Sequence, residues 1–170
     1  MKHQMILISL LVASTGSAQV QESEKPLTED SYVVVALDSL TRSDSLSFKV
    51  KGMENPITWG TTLKGHDLVD VRFTLVSTKA EHVGLPLDNP NRIIDSDGEE
   101  WREDGTRSSF IEGQKGVRGE IVDGARIRVW FTVSKAATPK TLRWVYAYWD
   151  SPEAGEVQHG EIEIDLDVKH

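Results

Sequence analysis

The run Val69-Asp70-Val71-Arg72-Phe73-Thr74-Leu75 alternates apolar and polar residues without a break. Side chains of an extended chain point to opposite faces in turn. A period of two therefore sends Val69, Val71, Phe73 and Leu75 into a core, and Asp70, Arg72 and Thr74 to the other face. The pattern returns at Ile127, Val129, Phe131 and Val133, set between Arg128, Trp130 and Thr132. It returns again at Ile162, Ile164, Leu166 and Val168, interleaved with Glu161, Glu163, Asp165 and Asp167. Leu46, Phe48 and Val50 alternate with Ser47 and Lys49, and residues 32–37 (YVVVAL) form a continuous run suited to a strand buried on both faces. Beyond residue 18 no segment offers an apolar stripe at i, i+3, i+4, i+7, so little helix is expected.

Turn chemistry punctuates these runs. Asn55-Pro56, Lys64-Gly65-His66-Asp67, Asp88-Asn89-Pro90, Asp97-Gly98, Asp104-Gly105 and Asp123-Gly124 all break extended structure. Asp97-Gly98 lies between Arg92-Ile93-Ile94-Asp95 and Glu99-Glu100-Trp101-Arg102, the spacing of a hairpin whose glycine accepts positive φ. Regular short strands with such turns imply an antiparallel sandwich of about seven or eight strands, with a closed barrel as the alternative.

Length and composition bound the rest. The chain has 170 residues, enough for one domain with a real core. Its formal charge of −8 argues against general nucleic-acid binding, which needs clustered Lys and Arg. It holds no cysteine, so disulfides and thiolate metal sites are excluded. Lys2 and His3, the apolar run 5–13 and the small residues 14–18 follow the order of a secretory signal peptide, with Gly16 and Ala18 placing the cut before Gln19. An apolar run this short does not span a bilayer, so no transmembrane segment is expected in the mature chain. The expected organisation is a signal peptide at 1–18, a flexible lead-in at 19–30 and a sandwich domain at 31–170.

Three segments together resemble a known group. Asp70-Val71-Arg72-Phe73-Thr74-Leu75 resembles the second core strand of the small immunoglobulin-like domains of secreted bacterial envelope proteins, most of them uncharacterised. Ile93-Ile94-Asp95-Ser96-Asp97-Gly98-Glu99-Glu100-Trp101 resembles that group's acidic hairpin. Val122-Asp123-Gly124-Ala125-Arg126, followed by Val129-Trp130-Phe131-Thr132-Val133, resembles its Gly-containing turn and next strand. The chain departs from the group after the Val71 strand, where Ser77-Thr78-Lys79 replaces an Asn-containing turn. The resemblance covers about half the mature chain. It implies an immunoglobulin-like sandwich in an envelope or extracellular setting, and no catalytic residues.

Searching for chemistry gives little. Asp95, Asp97, Glu99, Glu100, Glu103 and Asp104 suggest calcium, but the glycine comes too early for a calcium loop and Thr106 stands where its closing glutamate belongs. The Asp95–Asp97 turn reads instead as a solvated acidic turn. The histidines are not spaced as a zinc site. His66 beside Asp67 has no assignable nucleophile, and neither a Gly-x-Ser-x-Gly elbow nor a phosphate loop occurs. Residues 113–119 are Gly-rich but precede Glu120-Ile121-Val122 rather than a helix start, which fits a loop. Glu161, Glu163, Asp165 and Asp167 share one strand face, as a guard against edge pairing or as a landing for a basic partner or a cation. No metal or other cofactor is expected.

The aromatic residues carry the functional expectation. Five tryptophans are many for this length. Trp59 reads as a loop residue, Trp130 sits on the polar phase of its strand, and residues 142–149 (LRWVYAYW) are apolar in both phases. An exposed aromatic row stacks on sugars or anchors protein partners. Trp130, Tyr148 and Trp149 are the candidate ligand-binding residues of a secreted or periplasmic, non-catalytic domain. Its partner is an unknown protein or, as the alternative, a glycan. If residues 127–133 and 142–149 paired as a hairpin, Trp130 would lie opposite Tyr146. If the connection crosses between sheets, Leu142, Trp144 and Tyr146 turn inward against Ile162, Ile164 and Leu166. The second case is favoured for Trp144, with Trp130 outward. Exported protein is expected to begin at Gln19, and intact mass spectrometry of the secreted chain checks this against retention of Met1.

Overall fold

The computed structural model describes residues 27–49, 54–61, 63–86, 91–102, 109–113, 119–149 and 157–167. The expected signal peptide at 1–18, Val50, Val168 and most of the Gly-rich loop lie outside the described residues. In chain order the strands are β1 (Leu27–Glu29), β2 (Val33–Ser43), β3 (Ser45–Phe48), β4 (Ile57–Gly60), β5 (His66–Thr78), β6 (His82–Gly84), β7 (Arg92–Asp95), β8 (Glu100–Arg102), β9 (Ser109–Ile111), β10 (Arg126–Ser134), β11 (Pro139–Trp149) and β12 (Gln158–Asp165). No described residue is helical.

The first sheet runs β1-β2-β5-β10-β9 and the second β12-β11-β7-β8, with β6 also paired to β11. All the pairings are antiparallel. The molecule is an all-β sandwich. Twelve strands are described, more than the seven or eight expected, because several have only three or four residues, too few to show a period.

The period-two residues meet between the sheets. Val69, Val71, Phe73, Leu75, Ile127, Val129, Phe131 and Val133 face Leu142, Trp144, Tyr146, Ile162 and Ile164 in one buried cluster. The Phe73 ring meets the Trp144 indole edge-on, with centroids 5.0 Å apart. β10 and β11 lie in different sheets, so a Trp130–Tyr146 hairpin pairing is ruled out. Instead Trp144 pairs with Ile162 and Leu142 with Ile164 in β12, all buried.

Two polar devices hold the sandwich at its weak points. Tyr146 crosses β12 at Gly160, where an added Cβ would lie 2.2 Å from the ring carbon Cζ. Its hydroxyl then donates to Asp30 Oδ2, while Asp30 Oδ1 accepts from the backbone N–H groups of Tyr32 and Val33 at 2.8 Å. Burial, reinforced by the Asp30 carboxylate, pushes the Tyr146 phenol well above the ordinary tyrosine range. Residues 27–30 therefore belong to the sandwich and correct the expected domain start at 31; Leu27 pairs with Ala36 and Glu29 with Val34. The second device is Asn91. Opposite β11 the neighbouring strand arrives in two pieces, with β6 against 147–149 and β7 against 139–143. In the gap, the fully buried Asn91 accepts from Val145 N–H through Oδ1 at 2.7 Å.

A third layer covers the outer face of the first sheet. β3 and β4 pair only with each other. Leu46, Phe48 and Trp59 pack with Leu68, Phe110 and Trp130 in a second apolar cluster. Trp59 is thus a strand residue in β4 rather than the loop residue expected.

Trp144→Ala should cost about 3–5 kcal/mol and Trp130→Ala a similar amount, since both rings are buried. Gly160→Val should be as damaging, because the added carbons must displace the Tyr146 ring. Chemical denaturation followed by circular dichroism measures all three.

Candidate functional site

The three aromatic residues expected to bind a ligand do not form one surface. Trp130 points outward on β10, as its phase requires, but is only 2% exposed. Phe48, Trp59 and Phe110 surround it, with ring centroids 5.1, 6.0 and 6.0 Å away. The β3–β4 layer removes it from solvent, which corrects its expected exposure. Tyr148 points inward, is 8% exposed and stacks on Tyr32 at 4.0 Å. Trp149 alone of the three is partly exposed.

Trp149 sits at the end of β11, opposite His82 of β6. The two rings stack at 5.5 Å with 13° between their planes. The indole lies close over Gly84, where an added Cβ would come within 3.2 Å of its ring edge. His82 Nδ1 meets Glu120 Oε1, and Nε2 lies 3.7 Å from Glu81 Oε1. An indole and an imidazole are thus laid flat beside two carboxylates. The sequence reading missed His82, Gly84 and Glu120. Their only signal was a glycine two places after a histidine, and that carries meaning only once β11 lies alongside.

The acidic row on β12 is answered within the chain. Arg143 on β11 reaches Glu163 at 2.9 Å, Glu161 at 3.1 Å and Glu100 at 3.3 Å, and Lys140 reaches Asp167 at 2.7 Å. The hydrogen bond to Glu163 holds the Arg143 guanidinium above its ordinary range. A hydrogen bond from Arg92 at 2.8 Å holds the Glu100 carboxyl below its own.

Asp95 is equally committed. Its Oδ1 accepts from the N–H groups of Asp97 and Glu99, both at 2.9 Å, and its Oδ2 accepts from Trp101 Nε1 at 3.0 Å. The carboxylate ties the β7–β8 turn, in which Gly98 has φ +83°. The described residues contain no cluster of three or more His, Asp or Glu side chains able to hold a metal ion. At the other suspected site, Asp67 faces Lys135 at 3.4 Å and Arg42 at 3.7 Å, while the His66 ring meets Trp101 edge-on.

The most deeply buried charges are Asp70 and Arg128, 1% and 4% exposed. Arg128 donates through Nε and Nη2 to the two Asp70 oxygens, each at 2.7 Å. The guanidinium lies 5.0 Å from the centre of the Phe48 ring and 6.0 Å from that of Phe110.

No protein-family model matches the chain, and no curated protein does. Among solved structures, the chain is similar to an uncharacterised β-sandwich protein from Clostridium difficile 630. Identity is 9%, the match covers 81% of this chain and 89% of that one, and the TM-score is 0.46. No helix among the described residues is long and apolar enough to cross a membrane.

The hydrogen bond from Trp101, with those from the turn amides, lowers the Asp95 carboxyl below its ordinary value. A depressed carboxyl stabilises the fold fully above the ordinary carboxylate value and loses that contribution as pH falls from there through its own lowered value. Asp95→Asn should therefore melt lower than the natural chain at neutral pH, and the gap should narrow below about pH 4. Thermal melts across a pH series measure both.

Proposed function

We propose that this chain is a secreted or periplasmic immunoglobulin-like domain that binds a protein partner and does no chemistry. Strand order supports the immunoglobulin-like type. β2-β5-β10-β9 follows the A-B-E-D order of one immunoglobulin sheet, and β12-β11-β7-β8 follows G-F-C with an added fourth strand. The leader-like pattern at 1–18 supports export. The commitment of Asp95, Glu100 and Arg143 to internal hydrogen bonds supports a non-catalytic role, since a working acid or base must be available to a substrate.

One observation carries the choice of surface: Trp149 is partly exposed and held flat against His82 and Gly84. A rigid indole loses little side-chain entropy on binding, which suits it to anchor an interface. Glu81 and Glu120, which flank its stacking partner His82, favour a partner with a basic rim. The same indole, stacked on an imidazole that two carboxylates flank, also has the form of a single sugar-stacking position, so a glycan is the second reading.

Trp149→Ala should leave the fold intact and abolish capture of the partner from native envelope extract. Capture equal to that of the natural chain would remove the Trp149 surface from consideration. A glycan array separates the readings: binding that Trp149→Ala removes would favour sugar over protein.

A further inference from the structure

We infer that the β3–β4 hairpin is a flap that opens as a unit and uncovers a recessed aromatic surface carrying the Asp70–Arg128 pair. Its hydrogen-bonded ladder, Ser45↔Gly60 to Phe48↔Ile57, is shared with neither sheet. A two-stranded hairpin in water is marginally stable by itself, so side-chain contacts must keep this one in place. Those contacts come from Leu46, Phe48 and Trp59 on the underside.

The flap also has hinges. The chain leaves the first sheet at Asp44, the single residue between β2 and β3. Thr61 N–H donates to Asp44 carbonyl at 3.2 Å, which closes the hairpin's base. The return to β5 passes Gly65, whose φ is +81° and whose carbonyl accepts from Lys135 N–H at 2.9 Å. Flap and body therefore meet at two short junctions, the usual build of a hinged element.

What lies beneath includes a buried charge pair; the core between the two sheets holds none among the described residues. Closure takes Asp70 and Arg128 out of water, and desolvating an ion pair opposes its own attraction. Closure also leaves the buried Trp130 Nε1 without a hydrogen-bond acceptor among the described residues, as Trp144 Nε1 is in the main core. Opening returns both to water and breaks none of the ladders that build the two sheets.

Native-state hydrogen exchange on the full chain tests this. The ladder amides of β3 and β4 should share one opening constant, with protection about 100-fold below that of β5 and β10 and a weaker response to denaturant. Trp59→Ala should lower flap protection about tenfold further and leave β11 and β12 unchanged. Exchange of β3 and β4 at the free energy and denaturant slope of β5 and β10 would overturn the inference. So would a graded loss of protection toward the hairpin tip, which is fraying rather than opening.

Discussion

The Asp70–Arg128 pair sets the terms for one side of this protein. Both residues lie on the outward phase of central strands, where water would ordinarily cover them. Here they meet diagonally across β5 and β10 in a two-point, 2.7 Å contact. Removing Asp70 would strand the buried Arg128 charge, whereas Asp70 itself has a second partner in Arg72 at 3.2 Å. An aromatic roof covers the pair. Phe48 and Phe110 stack on each other at 4.7 Å with Arg128 beneath them, and Trp130 and Trp59 complete the cover. The charge is thus satisfied by a carboxylate in its own plane and by ring faces above. The first sheet is buried on both sides, and the sandwich has three layers at that point.

The fold was legible where the chain repeats a period of two for long enough. Val69 to Leu75, Ile127 to Val133 and Ile162 to Leu166 all turn the expected side chains inward. The crossover that separates β10 from β11 was one of two pairings the sequence left open, since residues 142–149 carry apolar side chains on both phases. The Asp97-Gly98 hairpin followed from turn chemistry alone. Of the third layer, the alternation of Leu46 and Phe48 marked β3, but β4 and the placement of the pair over the first sheet were not legible. The layer's strands have four residues each, bounded by a Pro-containing turn, and alternation over four residues has little power. Trp130 was therefore assigned to the correct phase and the wrong environment. Phase reports which side of a sheet a residue occupies, and burial depends on what else the chain lays there. Tyr146 shows the same limit from within. Its contact with Asp30 joins residues 116 apart, and no local pattern announces it.

The candidate site suffers most from this distance problem. Ion pairs that look like an acidic strip in the sequence become a closed network once Arg143 lies between Glu161 and Glu163 on one side and Glu100 on the other. Asp95 passes from a suspected metal ligand to the knot of a turn. A fold of this kind supplies no function by itself, so weight falls on the few groups the architecture leaves available. At the end of β11 that group is an indole fixed in orientation by its neighbours.

The strand opposite β11 is delivered as two pieces bridged by the side chain of Asn91. A side-chain amide here stands in for a backbone carbonyl, so the sheet's bonding pattern does not depend on how much chain lies between Pro86 and Asn91. Each piece is aligned independently, β6 by Trp149 and Tyr148, β7 by Leu142 and Arg143. The register of each piece is thus set by β11 rather than by the other piece. Loss of the amide at position 91 would leave the Val145 N–H without this acceptor, while β6 and β7 each keep their own pairs with β11.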